Sequence, residues 1–73
     1  MSRESHIGEV ILKFREYRGW TQTELARRTG ITRNYLSIIE RGMRTPSLDT
    51  LQAIAKAMNC DLVIKLQPKE MDL

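Results

Sequence analysis

Arginine dominates the side chains of this sequence that can do chemistry. Arg3, Arg15, Arg18, Arg27, Arg28, Arg33, Arg41 and Arg44 all fall within the first 44 residues. A guanidinium presents a planar fork of donors that matches phosphate and guanine, where a lysine offers a point charge. Residues 1–44 hold nine Lys/Arg against five Glu, and residues 45–73 hold three Lys against four Asp/Glu, so the net +3 is concentrated at one end. Such a basic cluster suits a nucleic acid, and equally a solvated basic face. Catalytic chemistry has no such support. His6 and Cys60 are the single histidine and cysteine. No Ser/His/Asp or Cys/His set and no glycine-rich phosphate loop accompanies them. Neither an enzyme, a cofactor, a bound metal nor a small-molecule substrate is expected. His6 has no evident partner, and Cys60 reads as a small buried hydrophobe.

The elements that must position the arginines belong to one small domain, residues 1–73. A chain of this length buries about 60% of its unfolded surface, so its core is thin. One cysteine excludes a disulfide framework, which leaves oligomerisation as the stabilising device. A reducing cytoplasm is the expected location. No apolar run approaches the roughly 18 residues a bilayer span requires, and the opening "MSRESHIGE" lacks an apolar signal core. Neither membrane insertion nor export is expected.

The first helix is expected over residues 5–18, with Ile7, Ile11 and Phe14 on one stripe and Val10 beside them. Arg18 and Gly19 would close it. "WTQTEL" reads as a capping box, Thr21 at the N-cap and Glu24 at N3, with Trp20 and Leu25 at the two staple positions. Leu25, Ala26 and Thr29 would face inward before Gly30 stops this second helix. Thr32 caps a third, with Leu36 and Ile39 inward and Arg33, Asn34, Ser37 and Arg41 on the opposite face; Tyr35 and Ile38 flank it. Pro46 keeps Thr45 out of the helical region. Ser47 caps a fourth helix whose stripe is Leu48, Leu51, Ile54, Ala55 and Met58. Asn59 suits a left-handed C-terminal residue.

The second and third helices, "QTELARRTGITRNYLSIIER", about residues 22–41, are joined by a tight turn at Gly30. The arrangement is that of a helix-turn-helix, whose second member lies in the DNA major groove. Residues 8–59 resemble the Cro/cI (Xre) family of regulators, through Thr-Gln at a helix start, Leu-Ala, Gly, "IERG" and "PSLDTLQAIAKA". The resemblance implies a mostly α, lambda-repressor-like domain of four to five short helices. It implies base contacts from Thr32, Arg33, Asn34, Ser37 and Ile38, with Arg33 on guanine and Asn34 on adenine. Thr21, Gln22 and Tyr35, and then Arg41, Gly42 and Arg44, would meet phosphates. Arg15 and Glu40 would form a partly buried ion pair that fixes the third helix. Arg27 and Arg28 read as solvated charges, and Trp20 as a staple rather than a base-stacking platform.

The tail departs from the family pattern. Cys60, Leu62, Ile64 and Leu66 alternate with Asp61, Val63, Lys65 and Gln67, the period-2 pattern of a half-buried strand over residues 60–67. The tail resembles that of HipB-type antitoxins, in which each protomer gives one strand to a sheet across the dimer axis. The expected partners are duplex DNA and a second copy of the chain. The expected function is a dimeric repressor reading a palindromic operator; the alternative is an antitoxin that binds a toxin protein and represses its own promoter. Loss of all DNA binding would leave a helical protein-binding module.

Overall fold

The structure, a computed structural model, describes residues 6–69. Ser5, the expected start of the first helix, and residues 70–73 of the tail lie outside that range. Four helices follow in chain order: α1 His6–Tyr17, α2 Gln22–Thr29, α3 Arg33–Glu40 and α4 Leu48–Ala57.

Local chemistry accounts for where most of these helices start and stop. Thr21, Thr32 and Ser47 are the N-caps of α2, α3 and α4, each extended and each accepting from a backbone N–H three residues on, at 3.1, 3.0 and 3.1 Å. Each bond satisfies one of the donors that a helix N-terminus otherwise strands. Gly30 ends α2 at φ 82, and the N–H groups of Gly30 and Ile31 both donate to the Ala26 carbonyl, at 2.9 and 3.1 Å. Glycine reaches this left-handed region without the steric cost a Cβ imposes. Asn59, at φ 57, closes the turn after α4 in the same region.

The core gathers one or two residues from each helix and the residue that closes α4: Ile11, Leu25, Ala26, Leu36, Ile39, Ile54 and Met58. Full burial of each large aliphatic is worth about 1.5–3 kcal/mol. α2 packs on both α3 and α4, and α1 crosses α3. That last crossing is close. A Cβ on Gly8 would lie 2.2 Å from the Ile39 carbonyl oxygen and 3.0 Å from that of Glu40. The glycine therefore sets how near α1 comes to the end of α3.

Two expectations are corrected, and the expected strand is not seen among the described residues of the single chain. Of the α1 stripe, Ile11 is buried, but Phe14 is 43% exposed and Val10 is exposed as well. Leu48, expected on the inner stripe of α4, is exposed too. No strand forms among the described residues, and residues 60–69 are neither helix nor strand. A bundle of four helices offers no open strand edge, so the alternating tail has nothing to pair with among the described residues of its own chain. Cys60 and Leu62 tuck partly against the helices, but Ile64 and Leu66 do not; Leu66 is 96% exposed.

Candidate nucleic-acid interface

α3 is an eight-residue helix with two unlike faces. Leu36 and Ile39 are fully buried, and Glu40 is 8% exposed. Arg33, Asn34, Ser37, Ile38 and Arg41 recur at spacings of three and four on the other side, the spacing that puts side chains on one helical face. Arg33, Asn34 and Arg41 are exposed there, and Ser37 and Ile38 are half-buried. Thr32 is exposed, but its hydroxyl already caps the helix. Tyr35 departs from this group: it is half-buried and packs against the core. Gly42 and Arg44 follow in the exposed loop after α3. Arg41 Nε donates to the Ser37 carbonyl at 3.3 Å, which lays the guanidinium along the helix.

Behind this face runs a continuous polar network. Arg15 grips Glu40 with two parallel bonds, Nε to Oε2 at 2.8 Å and Nη2 to Oε1 at 3.0 Å. Arg15 is 9% exposed, and its remaining nitrogen donates to the Trp20 carbonyl at 2.8 Å. The bonds to Glu40 hold the guanidinium above its usual pKa against the opposing pull of burial. Gln22, the first residue of α2, donates from Nε2 to Glu40 Oε1 at 2.9 Å. Its own Oε1 accepts from Arg33 Nη1 at 3.3 Å. Among the described residues no buried side-chain nitrogen or oxygen lacks a partner, which is what makes a buried charge tolerable.

A second charged cluster lies on α2. Thr21 Oγ1 accepts from the Glu24 N–H, but the Glu24 carboxylate does not accept in return from the Thr21 N–H. That carboxylate binds Arg27 at 2.7 Å and Arg28 at 2.6 Å instead. The bonds from Arg27 and then Arg28 hold the Glu24 carboxyl below its usual range. The Arg28 guanidinium also stands 4.2 Å from the centre of the Trp20 ring, a cation–π arrangement. Arg18, whose guanidinium lies 6.0 Å from the centre of the same Trp20 ring, donates to the Met58 carbonyl at the end of α4.

The spacing of the sequence signalled the caps and the exposed face of α3. It did not signal the two bonds of Gln22, whose partners lie 18 and 11 residues away. Nor did it signal the role of Gly8, beyond the oddity of a glycine inside an amphipathic helix.

Comparison with known proteins places these elements in context. A Helix-turn-helix family model matches residues 11–64. The chain is 33% identical to the HTH-type transcriptional regulator y4dJ of Sinorhizobium fredii, over 96% of this chain and 91% of that one. It is 42% identical to the immunity repressor of Bacillus phage phi105 over 71% of this chain. It spans only 36% of that repressor's length, and 34% of another curated regulator that it matches. Among solved structures, the clp gene regulator ClgR of C. glutamicum superposes with a TM-score of 0.74 at 32% identity, covering 81% of this chain and 75% of that one.

Proposed function

This chain belongs to the Cro/cI-type helix-turn-helix family, and from that premise we propose that it is a sequence-specific, DNA-binding transcriptional regulator acting as a dimeric repressor. The observation that carries the reading is the two-faced α3. Its inner side is fastened by Leu36, Ile39 and the Arg15–Glu40 pair, and its outer side offers Arg33 and Asn34 to solvent at its first turn. α3 enters the major groove N-terminus first. Arg33 reads guanine and Asn34 adenine, Thr32 and Ser37 lie close enough for hydroxyl contacts, and Ile38 meets a thymine methyl.

Phosphates are met on both sides. At the start of α2, Thr21 and Gln22 face one phosphate, and the unpaired backbone N–H groups of that helix end suit an anion. After α3, the loop supplies Arg41, the Gly42 backbone and Arg44. Tyr35 contributes its hydroxyl from the flank. A regulator of this kind works in the cytoplasm, and no described helix is long and apolar enough to cross a membrane.

Two-fold symmetry doubles the half-site. Cys60, Leu62, Val63, Ile64 and Leu66 pair as a strand with the same segment of a second copy, since a two-fold contact lets one strand meet its own image. The exposed apolar side chains of Val63, Ile64 and Leu66 support this reading. The kinship with regulators and repressors favours it over the antitoxin alternative with a toxin partner.

Selection from random duplex DNA tests the proposal. A palindromic site, with half-sites about one helical turn apart, and a log-affinity that falls steeply with log salt are expected. Enrichment of no sequence above background would overturn it.

A further inference from the structure

We propose that Arg18 is a positioning residue for the two-fold reading of DNA: it fixes the direction in which the tail leaves α4, and with it the spacing at which two copies read their half-sites. The inference rests on the dimeric, DNA-reading function proposed above. α4 closes at Met58, and Asn59, at φ 57, turns the chain out of the helix. Two bonds shape that turn from within, from the Asn59 N–H to the Lys56 carbonyl at 3.0 Å and from the Cys60 N–H to the Ala55 carbonyl at 2.8 Å. Among the described residues no backbone bond holds the chain beyond Cys60. The Met58 carbonyl is one of those that a helix C-terminus leaves without an intrahelical partner. Arg18 donates to it from the turn after α1, 40 residues away in sequence, and a cation there also complements the helix dipole.

The recognition helix and the root of the tail are thereby referred to one turn. The Arg18 guanidinium lies 6.0 Å from the centre of the half-buried Trp20 ring. The Trp20 carbonyl accepts from Arg15 Nη1 at 2.8 Å, and the same Arg15 guanidinium holds Glu40 at the end of α3. The path from α3 to the tail therefore runs through held side chains, Glu40 to Arg15, then the turn at Trp20, then Arg18 to Met58. On the dimeric reading, the root of the tail is the joint between the part that reads DNA and the part that pairs two copies. One more base pair between half-sites displaces the second by about 3.4 Å and turns it by about 35° around the duplex axis. A joint held by Arg18 resists that change, whereas a joint free to turn at Asn59 accommodates it.

The test binds the unaltered chain and Arg18→Met to three duplexes: the palindrome selected by the unaltered protein, and that palindrome with its spacer one base pair longer or shorter. Methionine keeps an apolar stem beside Trp20 and removes the bond to Met58. The unaltered protein should prefer the selected spacing. Arg18→Met should narrow the affinity gap between that spacing and its neighbours by about fivefold or more, the low end for coupling between two sites, while each half-site sequence is still read. Loss of a mere surface charge would instead lower affinity at all three spacings by one factor and leave the gap, which would overturn the inference. Without DNA, Arg18→Met should quicken amide exchange at Cys60 relative to Leu36 of α3; an unchanged ratio of the two rates would overturn it too. Either result leaves the DNA-reading function standing. Should Arg18→Met not fold, Arg18→Lys is read in the same way. It keeps a charge near the helix end on a side chain one bond shorter, and an unchanged gap from it would equally overturn the inference. A selected site with no two-fold repeat would overturn the dimeric reading as well.

Discussion

Glu40 accepts three side-chain hydrogen bonds, two from Arg15 and one from Gln22, and thereby ties α1, the start of α2 and the end of α3 at one point. Burying such a pair adds little net stability over apolar residues of the same shape. Breaking it is another matter, because the remaining guanidinium is left dry and unpaired. Glu40→Ala is expected to lose about 3–5 kcal/mol, a large part of the roughly 5–15 kcal/mol that holds a small domain folded. Urea unfolding checks this, and a loss under 1 kcal/mol would show that water reaches Arg15. Arg33 stands at the other end of the network, exposed and contributing little to folding. Arg33→Ala should leave the unfolding midpoint nearly unchanged and lose about 1–3 kcal/mol at the selected site. An equal loss on all sequences would contradict a base-reading role.

At the scale of elements, α3 is held at both ends by different means. Thr32 caps its start, and Gly8 of α1 lies against the carbonyls of its last residues. Alanine is the better helix former by about 1 kcal/mol, so propensity alone favours Gly8→Ala. The Cβ, however, would fall 2.2 Å from the Ile39 oxygen, which is backbone and cannot step aside cheaply. Overpacking of this kind costs about 1–3 kcal/mol, so the contact outweighs the propensity. Gly8→Ala should melt at a lower temperature than the parent by differential scanning calorimetry. A higher melting temperature would mean that α1 slides without penalty.

For the whole molecule, the apolar surface is uneven. Val10 and Phe14 of α1 and Val63 of the tail line one groove, with Leu51 and Met58 at its base, and Ile64 and Leu66 project beyond it. A chain ending at Asn59 keeps all of the buried core and all of α3. It should stay helical by circular dichroism, sediment as a monomer and bind a palindrome far more weakly. A tight dimer from that truncation would refute strand pairing across two copies. Charge acts at the same scale. Arg44 lies in the loop beyond α3 with no side-chain ion pair among those described. Arg44→Ala should weaken binding to all sequences alike and reduce the slope of log affinity against log salt by about one; an unaltered slope would remove Arg44 from the phosphate contacts.

The sequence by itself determined what neighbouring residues decide. A threonine or serine before an apolar run caps a helix through its own backbone three residues on, so Thr21, Thr32 and Ser47 were legible. Gly30 and Asn59 were legible as chain-turning residues for the same local reason. Leu25, Leu36, Ile39 and Ile54 followed from helical periodicity. Tertiary structure decided everything that depends on a distant partner. Phe14 belongs to an apolar stripe, yet it is 43% exposed, on the rim of a groove it shares with Leu51, Ile54 and Met58. The tail alternates like a strand, but a strand is a property of two backbones, and the single chain supplies one. Gln22 reads as a helix-opening residue, and only the fold sets its amide between a carboxylate that must accept and a guanidinium that must donate.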